Sequence, residues 1–476
     1  MKFKIVLIIF IFIPNIFAQS KEKLSPYVKD FLYVCEKLES VHPNIYENMS
    51  IAEYAQWRTA CKKEAELVKN NMEMQLLIAK FLAKFKDSHT QVSFGDNRHF
   101  PLWIHFFNGK YYLVGTEDID SIGYAIVSIN NIPIEQVVEK LGQYISAEND
   151  DCRKFYLNTR LHSPNFLSII NNGIIPDSIS FTMDNGKTIH LKATKKSSVS
   201  LDSAYIDIYT RNRDNFSYQI DTAKNTCFFY FNSMIDRAFM CKKRKLLSHK
   251  KYANIPLFSE FLSNMFQDIK KHNIQNLIVD LRYNYGGDSR LGDQLLYFIA
   301  NKDEVSKLTM SVPARISKDY KKQRDDIKKD IIEGNTFFEE WEETNDFWYE
   351  DFENPQSAWY IKDTSLHFYG NTYFLTSQST YSAGSDLAWF AACLGFPLYG
   401  EVTAQTINTF GDILEFSTPY SKIYFYISCK YFYDKNATPD NRVHPTIEIP
   451  YDYKDIRCGQ DKPMEKVLEI IKNNNK

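Results

Sequence analysis

The sequence predicts an α/β protein preceded by a small helical module. Two strand–turn–helix units predict the α/β part: Asn276–Arg282 followed by a helix from Ser289 to about Ala300, and Asn371–Thr376 followed by a helix from Ala383 to Leu394, closed by Gly395. Three capped, amphipathic stretches within the first hundred residues predict the helical module. Between the two regions the hydrophobic period changes to two, the period of strands.

In chain order, the first eighteen residues stand apart. Lys2 and Lys4 precede the nearly unbroken apolar run Ile5–Ile16, and Phe17-Ala18-Gln19 puts a small residue at a cleavage point. That is the pattern of a secretory signal peptide, and the run is shorter than the ~20 residues a spanning helix needs. No later stretch reaches ~18 apolar residues, so an exported chain, periplasmic or secreted and off the membrane after cleavage, is expected. Ser25-Pro26 then opens a helix with apolar face Tyr27, Phe31, Val34, Cys35 and Leu38. Ser50-Ile51-Ala52-Glu53 is a capping box for a second helix carrying Tyr54, Trp57 and Cys61, and a third runs from about Met72 to Lys86. Thr90–Phe94 alternates as a strand does.

From about Phe100 to Lys195 the pattern is mostly strands. Ala125–Asn130 reads as a strand, Glu135–Leu141 as a helix, and Asp184-Asn185-Gly186-Lys187 as the turn of a hairpin between Ser178–Met183 and Thr188–Ala193. Gly186-Lys187-Thr188 is not a phosphate loop, because Phe181 stands where the first glycine is required. The strand–helix alternation begins at about residue 220. Within it, 303–363 reads as a charged, aromatic insertion with Trp341, Trp348 and Trp359, placed where a lid over a substrate cleft would be. The expected organisation is a signal peptide at 1–18, a helical module at 19–95, a β-rich segment at 96–215 and a catalytic core at 216–460.

Composition excludes several classes. The chain has 476 residues with 57 Lys+Arg against 59 Asp+Glu, a net charge of −2. Its pI is near 6.6. A nucleic-acid binder would show a basic face and a pI above about 9. Gly 17 and Pro 16 are far below the ~25–30 % of low-complexity chains. None of the eight cysteines forms a Cys-x-x-Cys pair, and no His-Glu-x-x-His spacing occurs, so no metal site is expected. Most of the cysteines are expected to be small buried hydrophobes.

Three segments have the residue types that acyl-transfer chemistry requires. Ser382, in Thr380-Tyr381-Ser382-Ala383-Gly384, lies where a strand gives way to a helix, so its hydroxyl would stand at a helix N-terminus beside free N–H groups. An ordinary N-cap serine has the same appearance, and Thr380 excludes the Gly-x-Ser-x-Gly elbow. Asp280–Gly287 ends in a glycine pair at the C-terminal end of a strand, where clefts in α/β sheets form; a tight structural turn fits it equally. Asp87-Ser88-His89-Thr90 puts a histidine at a helix–strand junction, either as a base or as a surface residue. His42 and His444, each before a proline, read as turn residues.

Together these segments resemble the tail-specific (C-terminal-processing) and tricorn-like serine peptidases. His42–Tyr46 and Asp87–Thr90 are similar to the family's N-terminal module. Asp280–Gly287 is similar to its Asp-x-Arg-x-Asn-x-Gly-Gly signature, and Thr376–Ala388 with Gly400-Glu401-Val402-Thr403 to its nucleophile turn and following loop. Gly123–Leu141 is weakly similar to its PDZ-like peptide-docking segment. The resemblance implies a crotonase-like (ClpP-like) α/β catalytic core, a PDZ-like β-rich middle segment, a peptide or protein substrate and no cofactor. It also implies roles. Ser382 would be the nucleophile; Gly286 or Gly287 and Ala383 would donate to the oxyanion. The lysine of the Ser–Lys version of the family is absent: Ile407 occupies its position, and no lysine lies between Ser382 and Lys422. The histidine-base version is therefore implied, with His89 as base and Ser88 beside it. Its late carboxylate falls in Pro439–Pro445, which departs from the family pattern by lacking a glycine; Asp440 is the expected residue, with Glu401 in reserve. Two other functions fit the same sequence: an inactive periplasmic peptide- or glycan-binding protein, and an envelope assembly factor. The sequence does not set the oligomeric state.

Overall fold

The computed structural model describes residues 24–95, 97–195, 199–205, 214–243, 254–308, 310–323, 348–353 and 364–474. The signal segment, Trp341 and Trp359 lie outside them, and for Trp348 only the backbone strand is described, so the lid reading of the insertion lies outside the described residues as well.

A six-stranded sheet forms the centre. Its order is Ile447–Glu448, Leu398–Gly400, Asn371–Thr376, Asn276–Asp280, Thr226–Phe231 and Phe216–Asp221, parallel except for the last pair. Alternate residues of a strand point to opposite faces, and both faces here are apolar. Cys227, Phe229, Leu277, Val279 and Phe374 pack under helices Phe258–Lys271, Ser289–Ile299 and Ala383–Cys393. Phe228, Ile278, Tyr373 and Leu375 pack on the opposite side against Met464, Val467 and Ile471 of helix Lys462–Asn474. Strands covered on both faces read as continuous apolar runs, which is why Asn276–Asp280 and Asn371–Thr376 stand out in the sequence.

The three N-terminal helices are Pro26–Val41, Ile51–Leu67 and Asn71–Ala83. Ser25 accepts a hydrogen bond from Val28 N at 3.2 Å, and the capping box of Ser50 and Glu53 is present. The helices pack against an antiparallel sheet built on Thr409–Ser417 and Tyr424–Phe432, two strands that the sequence reading does not contain. Gln91–Val92 adds to that sheet's edge beside Tyr424–Phe432, shorter than the expected Thr90–Phe94. Residues 102–192 form two further antiparallel sheets, one of which, Ile132–Pro133, Ile126–Ile129, Ser178–Met183 and Thr188–Lys192, carries helix Ile134–Gly142. Helix Asp150–Arg160 lies in a region expected to be mostly strands. Of the cysteines described as free, Cys35, Cys61, Cys152, Cys227 and Cys429 are buried, whereas Cys393 and Cys458 are exposed. Among the described residues no helix is long and apolar enough to cross a membrane.

Candidate active site

Strand Asn371–Thr376 ends in a loop stitched to the adjacent strand end. Ser377 Oγ donates to the Arg282 carbonyl at 2.5 Å, Thr380 Oγ1 to the Leu281 carbonyl at 2.8 Å, and Tyr381 N to the Asn284 carbonyl at 2.8 Å. Ser382 follows with φ 52° and ψ −135°, a conformation costing a non-glycine residue roughly 1–3 kcal/mol. Ser382 is half-buried at the N-terminus of helix Ala383–Cys393, yet its side chain makes no capping hydrogen bond. An ordinary N-cap serine would make one. The backbone has the strained strand-to-helix turn of a nucleophile elbow although the glycine before it is missing.

The Asp280–Gly287 segment explains how that turn is held. Arg282 is fully buried; its guanidinium meets Asp280 at 2.5 and 2.8 Å, Asp461 at 2.8 Å and the Tyr451 hydroxyl at 3.0 Å. Burial works against its charge, but Asp280 and Asp461 outweigh it and raise its pKa well above the ordinary value. Asn284 is the central clamp: its Nδ2 donates to the Phe231 carbonyl at 2.8 Å, its Oδ1 accepts from Gly286 N at 2.8 Å, and its carbonyl accepts from Tyr381 N. Gly286 has φ +90°, and a Cβ there would lie 2.5 Å from Ser382 Cβ and 2.9 Å from Ala383 N. A Cβ on Gly384 would meet the Asn284 carbonyl at 2.8 Å. The glycines thus let two backbone turns approach each other at the serine. Gly286→Ala is expected to displace Ser382 and lower kcat/KM at least 100-fold, the scale of a lost oxyanion donor, with the melting curve still cooperative; calorimetry beside peptide-hydrolysis kinetics checks this.

Of the expected oxyanion donors, the Gly286 N–H is already committed to Asn284 Oδ1. The Ser382 N–H is likewise held, by Gln405 Oε1 at 2.6 Å. Gly287 N and Ala383 N make no hydrogen bond among the described residues. Gly287 is fixed by the pairing of Met234 N with the Gly286 carbonyl and of Asp288 N with the Met234 carbonyl, both within 2.9 Å.

His89 arrives from the helical module. Its ring stacks on Tyr381, the residue before Ser382, with centroids 5.3 Å apart and planes at 26°. Its backbone N donates to Asp87 Oδ1 at 2.9 Å, and its Nδ1 is buried with no partner among the described residues. Ser88 does not touch the imidazole: its hydroxyl donates to Glu148 Oε1 at 2.6 Å and meets the Tyr381 hydroxyl. His42, the turn residue expected before Pro43, follows helix Pro26–Val41 directly. It is buried, accepts from Asn44 N on Nδ1 at 3.2 Å, and therefore donates from Nε2 to Asp87 Oδ2 at 3.1 Å. Burial would raise the Asp87 carboxyl, but the His42 hydrogen bond and the His42 and His89 rings outweigh it and hold the carboxyl at about 2. The carboxylate's contribution to stability is therefore full above the ordinary value near 4 and is lost as pH falls through about 2. His42→Ala is expected to cost about 3–5 kcal/mol in urea unfolding at pH 7, with the difference from wild type shrinking toward pH 2.

The expected late carboxylates lie elsewhere. Asp440 is exposed and accepts from His444 Nε2 at 2.7 Å. The Glu401 carboxylate accepts from Gln378 N and Tyr451 N, each at 3.2 Å, tying the loop after strand Asn371–Thr376 to the C-terminal segment. Burial pushes its carboxyl up to about 7 against those two hydrogen bonds. The carboxylates grouped with His89 are Asp87 and Glu148, one donor atom of each of the three residues lying within 4.8 Å of the others. Glu148 is absent from the sequence reading.

Comparison with known proteins supplies the family. The chain resembles solved structures of mature CPAF at 13 % identity, covering 95 % of this chain and 98 % of that one with a TM-score of 0.63. Mature CPAF complexed with lactacystin matches at 13 % identity, 95 % and 99 % coverage and a TM-score of 0.65. At that identity the likeness establishes a shared fold along nearly the whole chain. No curated protein matches. The profile of peptidase family S41 matches residues 251–449, the stretch that carries both Asp280–Gly287 and Ser382. Through that segment the chain is similar to the serine peptidases of family S41.

Proposed function

We propose that the chain is an exported peptidase that cleaves peptide bonds through an acyl-enzyme on Ser382, with His89 as general base. The observation that carries this is the serine itself: a half-buried Ser382 in a strained left-handed turn, capping nothing, with the His89 ring stacked on the residue before it. Ser382 Oγ attacks the scissile carbonyl carbon as its proton passes to the imidazole. The oxyanion is met by Gly287 N and Ala383 N, donors typically worth about 3–4 kcal/mol each in the transition state. The C–N bond breaks as the imidazolium returns its proton to the leaving amine. Water, deprotonated by the same imidazole, then attacks the ester, releasing the acid and restoring Ser382.

Around this centre we read the parallel sheet with its crossing helices as a crotonase-like core. The four-stranded sheet carrying helix Ile134–Gly142 we read as a PDZ-like unit that docks the peptide. Export rests on the N-terminal signal pattern. The experiment is hydrolysis of an unfolded protein such as casein by the purified mature chain, before and after a fluorophosphonate probe. Cleavage that the probe abolishes supports the proposal. Peptide binding without cleavage or labelling would instead identify a binding protein on the same fold.

A further inference from the structure

Resting on the Ser382–His89 reading above, we infer that Glu148, rather than Asp440, is the positioning carboxylate of His89. A catalytic imidazole that takes a proton on one nitrogen needs its other N–H held, both to fix the tautomer and to stabilise the imidazolium. His89 Nδ1 is buried and has no partner among the described residues. Glu148 Oε2 is in the same condition. A buried polar atom left unpaired is costly, and two of them on residues of one side-chain cluster call for an explanation. A carboxylate oxygen of Glu148 and a ring nitrogen of His89 lie within 4.8 Å, a gap that closes when the site tightens around a substrate, as catalytic hydrogen bonds commonly do.

The rest of Glu148 is fixed for that task. Its Oε1 accepts from Ser88 N at 3.1 Å, Ser88 Oγ at 2.6 Å and Thr409 Oγ1 at 3.2 Å. The residue after it, Asn149, caps helix Asp150–Arg160 through Cys152 N at 2.9 Å and reaches the Ala404 carbonyl at 2.9 Å, beside the Gln405 that holds Ser382 N. Ser88 therefore acts through Glu148: it anchors one oxygen and leaves the other for the imidazole. Asp87 is the weaker candidate, because its Oδ2 already accepts from His42 and its Oδ1 from the His89 backbone, whereas Glu148 Oε2 accepts from no described residue. The buried Cys152 thiol and the Tyr156 and Tyr381 phenols also face Glu148, and burial pushes all three up, so they are neutral; the other carboxylate of the cluster, Asp87, is hydrogen-bonded to His42.

The test compares Glu148→Gln with the wild-type mature enzyme on one peptide substrate across pH. Glutamine keeps the shape and loses the charge. The inference expects kcat to fall 10²–10⁴-fold with KM within about threefold, the range spanned by loss of an imidazole-orienting carboxylate, and the acid limb of kcat/KM to move to lower pH because the imidazolium loses its counter-charge. Glu148→Asp should restore part of kcat and return the limb. A purely structural Glu148 would lower the melting temperature and leave the limb in place. If Glu148→Gln does not fold, Glu148→Asp and Ser88→Ala read the same two quantities. Glu148→Gln with wild-type kcat and limb, while Asp440→Asn loses both, would overturn the inference. A wild-type rate that vanishes in EDTA and returns with a divalent ion would also overturn it, by making Asp87, His89 and Glu148 a metal site. Failure of the underlying reading looks different: no fluorophosphonate labelling of the wild-type serine at all.

Discussion

Ser382→Ala is expected to lower kcat/KM by about 10⁴-fold or more and to abolish fluorophosphonate labelling, with the fold retained. Among the described residues no other hydroxyl combines its features. Its φ of 52° is that of glycine or a strained residue, its side chain caps no helix hydrogen bond, and Gly286 packs directly against it. Losing the nucleophile leaves only oxyanion binding and substrate positioning, and members of such a unit lose activity together rather than additively. The substitution removes one oxygen that holds no cap, so thermal unfolding should match wild type within about 0.5 kcal/mol. Steady-state kinetics, intact-mass labelling and calorimetry on the two proteins decide it.

His89→Ala should be nearly as severe. The serine proton has to leave as the C–O bond forms, and the proposed acceptor is the imidazole stacked on Tyr381, the residue before Ser382. The alternative of the family, a lysine base, has no residue here: Ile407 occupies the position, and Ile407 is buried in the apolar core. An imidazole accepts a proton only when neutral, so wild-type kcat/KM is expected to fall on the acid side. A variant keeping more than about a tenth of wild-type activity, a loss under ~1.4 kcal/mol, would mean that another group is the base.

The catalytic core was largely legible in the sequence because its strands are covered on both faces. Asn371–Thr376 is found at the bounds its apolar run indicates, and the Ser50 capping box and the Asp184–Lys187 turn fold as their chemistry requires. The strands Thr409–Ser417 and Tyr424–Phe432 were not legible. Asp412 at φ 52° breaks the alternation of the first, and the second is aromatic on both faces. Helix Asp150–Arg160 was hidden by composition, since DDCRKFYLNTR buries only Cys152, Phe155 and Leu157. The same two gaps hide half of the site. Thr409 and Glu148 belong to those elements or adjoin them, and nothing distinguishes Glu148 from the other acidic residues until the fold sets it beside Ser88 and His89. For His42 the turn before proline was legible, but its burial and its hydrogen bond to Asp87 were not, because the partner lies 45 residues away. The commitment of Gly286 N to Asn284 depends on a side-chain rotamer that sequence does not specify.

Peptide mapping of the fluorophosphonate-treated mature enzyme by mass spectrometry tests the central claim most directly. The account predicts a single adduct, on the peptide containing Ser382, formed more slowly by orders of magnitude in His89→Ala. An adduct on any other residue, or labelling of Ser382 that is as fast without His89 as with it, would contradict it.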